Sequence, residues 1–413
     1  METLYEVSAG IDVHRDSVVV SIRKHDGRGK ERVETRTFET FHDTLVEMNA
    51  WLDAHEVPIV GLESTGVYWK PVVRVIQLGS PQRVIWLVNP AEVKKVPGRK
   101  TDVNDSQWLS KLVMHGLVSP SFLPSQQLEE LRKLTRYRTR LVAEKTSVKN
   151  RVLKELESTG IKLASVCSDV LGKSGRAMLD ALLEGTSTPA QIAALARGRL
   201  RTKIAKLERA AQGSFSPATQ VILQQMLARL DQNKRDTEAI DDQIRRRLAP
   251  YMPDVERLRT VPGLDVTSIA AVIAETGIDM SVFENADHLT AWAGLAPGSN
   301  QSAGKSKSAR ARKGDKYLRT MLVQAAWAAI RKRGTFWRQK FGQWVRRLGP
   351  TKSIVAIARK MLVAVFYILR DSVSYQPPET APPSPKSVRR MVEHLAALGF
   401  QITPPPPVAA AAS

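Results

Sequence analysis

Four carboxylates stand at positions where strands end and a helix begins. Asp12 closes a β-branched run in Gly10-Ile11-Asp12-Val13-His14, Glu63 closes another in Gly61-Leu62-Glu63-Ser64, and Asp102 and Asp105 lie three apart at a helix start. Gathered at one sheet edge, such acids would repel one another and raise some pKa values unless a hard divalent cation neutralised them, and Mg²⁺ is the natural guest. Two-metal phosphoryl transfer needs carboxylates so arranged, because the ions must touch both attacking and leaving oxygens at roughly 4 Å separation. Each acid also has an ordinary use. Asp102 suits a helix N-cap, Asp105 a first turn, Asp12 a turn closure and Glu63 an arginine pair.

The second constellation runs from Pro297 to Arg319. Ser302 sits on a small-residue loop followed by Lys305, Lys307, Arg310, Arg312, Lys313, Lys316 and Arg319, cations suited to a phosphate and its pentavalent transition state. A serine hydroxyl is a weak nucleophile without a base or a metal, and no histidine is near in sequence, so activation would fall to the carboxylate-bound ion. A phosphate-binding loop without a nucleophile remains the alternative. An ATP loop is excluded: five residues separate Gly298 from Gly304-Lys305-Ser306 where four are required, and the preceding segment is a poor strand.

Charge agrees with a polyanionic partner. The 413-residue chain carries 62 basic and 41 acidic side chains, net +21. Residues 1–120 are nearly balanced, whereas residues 301–370 hold 18 basic side chains against Asp315 as the single acid. Nucleic acid is the leading partner for such a surface. One cysteine, Cys167, excludes an internal disulfide and a cysteine-cluster metal site. Its longest apolar run, Met361 to Leu369, is far short of the roughly 20 residues that span a bilayer. A cytoplasmic, nucleoid-associated protein is expected.

Elements must bring the acids together. Tyr5 to Ile22 reads as a β-hairpin, followed by a strand at Val33–Phe38, a helix Phe41–His55, a strand Pro58–Leu62, a helix Val67–Leu78, a strand Arg83–Val88 and a helix from about Asp102 to His115. Hairpin strands followed by alternating strands and helices imply an α/β mixed sheet of RNase H-like type over residues 1–120. Residues 121–255 then read as all-α. A helix from an N-cap at Ser125 to about Glu157 and another from about Ala218 to Leu248 suit coiled-coil arms or two helices of one bundle, with Asn233 and Thr237 at seam positions. Residues 256–372 form a further helical domain, in which a Pro262-Gly263 turn joins two helices whose amides could hold a phosphate. Residues 373–413 are proline-rich and expected to be disordered, with at most a short helix at Ser387–Leu398.

These motifs together resemble a family. Gly10-Ile11-Asp12-Val13-His14, Glu63-Ser64-Thr65-Gly66-Val67-Tyr68-Trp69, Lys100-Thr101-Asp102-Val103-Asn104-Asp105-Ser106, Val261-Pro262-Gly263-Leu264, Pro297 to Lys305 and Arg312 to Arg319 resemble the DEDD transposases of insertion sequence family 110, in particular its 1111 subgroup. The resemblance spans about residues 7–370. It implies a RuvC-like domain carrying Asp12, Glu63, Asp102 and Asp105 with Mg²⁺, a coiled-coil region, and a C-terminal transposase domain with Ser302 as nucleophile. It also implies a 5′-phosphoserine intermediate, a non-coding bridge RNA pairing with donor and target DNA, and an assembly of two to four copies, a tetramer in which the acidic site of one protomer is completed by the serine of another. Family members often carry a Ser-Ser or Glu-Ser pair where this chain has Gln301-Ser302, so Ser302 is the fit to the nucleophile, with Ser299 and Ser306 as bystanders. Three other readings keep part of the pattern: a RuvC-like structure-selective nuclease using water, an inert nucleic-acid scaffold, and an actin-like kinase. The last needs phosphate-binding glycines after the first aspartate, and Val13-His14-Arg15 supplies none.

Overall fold

The computed structural model describes residues 3–25, 30–64, 66–94, 96, 105–297, 300–302, 305–308, 314–378 and 385–401. The chain forms two units, Met1–Gln127 and Leu128–Ser413.

The first unit is a five-stranded mixed sheet covered by helices. Its elements are β1 (Val7–Val13), β2 (Ser17–His25), β3 (Glu31–Glu39), α1 (His42–Ala54), β4 (Ile59–Glu63), α2 (Trp69–Gly79), β5 (Val84–Val88), a single turn α3 (Pro90–Val93) and α4 (Asp105–Met114). The strand order is β3-β2-β1-β4-β5. β1, β2 and β3 pair antiparallel, and β4 and β5 continue parallel to β1. This is the RNase H-like arrangement expected from the order of elements.

Strand alternation sorts the residues of β1 and β4 onto two faces. Ala9, Ile11, Val60 and Leu62 pack with Leu45, Met48, Leu52, Val72 and Ile76 under α1 and α2. The opposite face carries Ser8, Gly10 and Gly61, and α4 lies directly on it. A Cβ on Gly10 would stand 2.1 Å from the Ser106 carbonyl oxygen, and one on Gly61 would meet the Val113 side chain at 2.3 Å. Ser8 Oγ donates to the Ser110 carbonyl at 3.0 Å, Ser21 and Ser106 hydroxyls bond at 2.7 Å, and Arg23 donates to Ser110 Oγ at 3.2 Å and the Gln107 carbonyl at 3.0 Å. Small residues let the helix come this close. Gly10→Ala is therefore expected to cost about 3 kcal/mol through overpacking, read as a lower urea midpoint for the sheet unit.

The second unit begins with two long helices, α5 (Gln126–Ser158) and α10 (Pro217–Leu248). Between them lie α6 (Leu163–Val166), α7 (Lys173–Glu184), α8 (Pro189–Ala194) and α9 (Ile204–Ala210). The long pair is one antiparallel hairpin within the chain: Arg138 pairs with Asp241 near one end, and Val148 and Val152 share a core with Leu223, Leu227 and Leu230 toward the other. Asn233 is buried at the seam and donates to the Leu141 carbonyl at 3.0 Å. The short helices form a head on this arm, with Arg176 holding Asp231 through two hydrogen bonds of 2.8 and 2.9 Å. That head had no counterpart in the sequence expectations.

The body of this unit comprises α11 (Met252–Arg259), α12 (Val266–Thr276), α13 (Ala286–Trp292), β6 (Asn300–Ser302), β7 (Lys305–Ser308), α14 (Lys316–Arg331) and α15 (Phe336–Asp371). α15 kinks where Gly349 takes φ +74° before Pro350. Leu318, Leu322, Ala326, Ile357, Met361 and Val365 are buried along α14 and α15. The chain stays on this body past residue 372, since Tyr375 stacks on Trp337 with ring centroids 5.7 Å apart and its amide donates to Thr260 Oγ1 at 2.8 Å. A final helix, α16 (Pro385–Ala397), covers the stretch expected to be helical, beginning two residues earlier. Among the described residues no helix is long and apolar enough to cross a membrane.

Candidate active site

Asp12, next to last in β1, and Glu63, the last residue of β4, stand on neighbouring parallel strands in the same register, each following the paired residues Ile11 and Leu62. Period-two alternation puts both on the face that carries Gly10 and Gly61, the face under α4. α4 runs against β1, because Ser106 lies over Gly10 while Ser110 lies over Ser8. The start of the helix therefore points toward the Asp12 end of the strand. Asp105 stands at that start, one residue before Ser106, and is exposed. Two residues of strand separate Gly10 from Asp12, about 7 Å.

The Asp12 carboxylate is about one-quarter exposed and lies 3.1 Å from His14 Nε2, a ring that is itself largely in solvent. Glu63 is half-buried. Hard carboxylate oxygens are the donors that Mg²⁺ takes, so the residue types fit that ion. Among the described residues no three His, Cys, Asp or Glu side chains are gathered closely enough to hold a metal. Asp102 falls outside the described residues.

Ser302 is the last residue of β6, facing Lys305 across a two-residue connection, with Gln301 opposite Ser306 and Asn300 opposite Ser308. The expected loop is thus a short antiparallel hairpin. Lys305 and Lys307 lie in β7, and Lys316 and Arg319 lie in the first turn of α14, where Lys316 is exposed. Arg310, Arg312 and Lys313 fall outside the described residues. Beyond them Arg331, Lys332, Arg333, Arg338, Arg346, Arg347, Lys352, Lys360 and Arg370 are all exposed, so the basic segment presents its charge to solvent.

The phosphate role considered for the Pro262-Gly263 turn is not supported. Asp265 caps α12 by accepting the Ser268 amide at 2.8 Å, which places a negative charge at the helix end. A Cβ on Gly263, at φ +99°, would lie 2.4 Å from the Ala325 carbonyl oxygen, so the turn is pressed against α14. It is a packing hairpin.

An ionic network near the start of α14 was missed in the sequence. Glu275, 1% exposed, receives two hydrogen bonds of 2.7 Å from Arg136, and Arg136 also donates to Asp315 at 3.1 Å. Burial pushes the Glu275 carboxyl above its ordinary value, and the hydrogen bonds from Arg136 oppose that rise. The available signals were a lone acid within the apolar run of α12 and a lone acid in the basic segment.

Comparison with known proteins relates both the N-terminal and the C-terminal segments of the chain to transposases. Residues 9–161 match a family model described as a transposase, of the DEDD type named for IS110. Residues 255–341 match a second model, described as transposase IS116/IS110/IS902 family. A probable family 20 transposase of Pseudomonas aeruginosa is 26% identical over 327 residues, covering 77% of this chain and 86% of that protein. An uncharacterized 42 kDa protein of insertion element IS900 from Mycobacterium paratuberculosis is 30% identical over 314 residues, 68% of this chain and 74% of that one. The transposase for insertion sequence element IS1111A of Coxiella burnetii is 24% identical over 302 residues, 70% and 72% respectively. The first model covers the acidic sheet unit and continues through α5, the second covers the segment with the serine hairpin, and the chain belongs to the IS116/IS110/IS902 family of insertion-sequence transposases.

Proposed function

We propose that this transposase excises and inserts its element by a covalent serine mechanism, with the four acids and Ser302 acting on the same DNA phosphodiester. The observation that carries the reading is the register that sets Asp12 beside Glu63 under the start of α4. Mg²⁺ held by Asp12, Glu63, Asp102 and Asp105 would supply positive charge to the scissile phosphate. Ser302 Oγ loses its proton and bonds to phosphorus, and the 3′ oxygen leaves and takes up a proton as a 3′ hydroxyl. The DNA 5′ phosphate is then esterified to Ser302. Attack by the 3′ hydroxyl of another strand reverses the step, so no nucleotide triphosphate is consumed. Lys305, Lys307, Arg310, Arg312, Lys313, Lys316 and Arg319 grip the phosphates of the exchanging strands.

We assign choice of site to a non-coding bridge RNA paired with donor and target DNA, and we place the reaction in an assembly of two to four copies. The concentration of positive charge in residues 301–370 supports the first of these, because a protein relieved of base readout needs chiefly to hold backbones. The decisive experiment incubates end-labelled element-junction DNA with the purified chain and Mg²⁺, then resolves the products under denaturing conditions. Label retained with the protein is expected. Free cleaved ends alone would mean that water is the nucleophile. Sequencing of RNA that copurifies with the chain is expected to return a transcript from the element's own flank.

A further inference from the structure

The described residues that flank the Ser302 hairpin on its two sides meet at one place on the body. The amides of Leu295 and Ala296 both donate to the Thr290 carbonyl, at 2.9 and 3.1 Å, and the Asp315 amide donates to the Trp292 carbonyl at 3.2 Å. A Cβ on Gly314 would stand 2.2 Å from the Gly294 nitrogen, so the outgoing and returning stems touch at the end of α13.

The returning stem is tied to the arm. Asp315 Oδ1 accepts the Leu318 amide at 2.7 Å and caps α14, while its Oδ2 receives Arg136 of α5 at 3.1 Å. Arg136 holds Glu275 of α12 bidentately and lies 4.6 Å from the Tyr317 ring centroid. Arg132, one turn earlier on α5, donates to the carbonyls of Ala274 and Glu275, both at 2.9 Å. Burying such charges gives little net stability compared with an apolar contact of equal volume, whereas it fixes geometry through several directed bonds at once. α5 has 33 residues and is about 50 Å long, so its first turns form the base of a stiff lever.

We infer that the Arg136–Glu275–Asp315 network is a positioning device that fixes the stems of the serine hairpin against the base of the α5 arm, so that the aim of Ser302 at the phosphate is set from the arm. The inference rests on the serine reading above. It assigns Arg136 and Asp315 to positioning, not to contact with DNA.

Asp315→Asn tests it with little disturbance of the fold, because asparagine caps a helix as well as aspartate while losing the charge that Arg136 holds. In the full chain with Mg²⁺, the rate of covalent adduct formation at saturating DNA is expected to fall about tenfold, with the DNA concentration for half-maximal rate and the melting temperature unchanged. Arg136→Gln is expected to lose about a hundredfold, and Arg136→Lys to recover only part of it, since an ammonium cannot hold two carboxylates in the same fork. A wild-type rate in Asp315→Asn, or a loss that merely follows weaker DNA binding or a lower melting temperature, would overturn the inference. Ser302→Ala is measured alongside. If that variant loses the adduct while Asp315→Asn is undiminished, the network role alone fails; if the adduct persists in Ser302→Ala, the serine reading fails and takes this inference with it.

Discussion

Ser302→Ala is expected to form no covalent DNA adduct and to lower strand exchange by at least about 10³-fold while leaving DNA binding within about twofold of wild type. The change deletes a single oxygen at the last position of β6. The backbone pairing of Ser302 with Lys305 does not depend on that oxygen, so the hairpin and its cations are retained. In the proposed mechanism DNA is held here by Lys and Arg contacts to phosphates, which the substitution leaves in place. Adduct yield on a labelled suicide substrate, compared with a filter-binding isotherm at one stated salt concentration, separates the two effects. Ser299→Ala and Ser306→Ala in the same assay are expected to remain active.

Asp12→Asn is expected to lose about 10³-fold in cleavage rate at a fixed millimolar concentration of Mg²⁺, with part of the loss recovered as the metal concentration rises. Asparagine keeps the shape of the side chain but removes a full negative charge from the end of β1, leaving Glu63 on the adjacent strand. The contact between Asp12 and His14 is also lost, but the imidazole is mostly exposed and such a pair contributes little. The sheet unit is therefore expected to melt as wild type does. A metal titration of cleavage rate distinguishes a weakened ion site, in which the curve shifts to higher concentration, from general damage, in which its plateau falls alone.

The sheet unit was readable because strands and amphipathic helices announce themselves by period. The alternation Val-Ser-Ala-Gly-Ile-Asp-Val gives β1 one apolar face and one of small residues, and the same pattern in Ile59–Glu63 places Glu63 level with Asp12. The length of α5 and α10 was equally plain from their spacing of leucines, and Ser125 stands immediately before α5. What the spacing could not convey is that they pair with each other within one chain, since a seam of leucines looks alike whether its partner is in cis or in trans. The head of α6 to α9 escaped because each helix has 12 residues or fewer, and its packing depends on contacts distant in sequence such as Arg176 with Asp231. The hairpin at Ser302 was hidden by a composition of glycine, serine and lysine, which favours neither strand nor helix. The ion pair of Arg136 with Glu275, beside Asp315, joins residues 139 positions apart, a link no local pattern encodes.

The central claim is that the carboxylates of the sheet unit and the hydroxyl of the hairpin serve one bond-breaking event. Peptide mapping of the DNA-linked species formed by wild type and by Asp12→Asn, each with and without Mg²⁺, tests it most directly. The expected result is a nucleotide mass on the peptide containing Ser302 in wild type with Mg²⁺, and its absence in the other three samples. A nucleotide attached to a different residue, or an adduct on Ser302 of equal yield when Asp12 is neutralised, would contradict it.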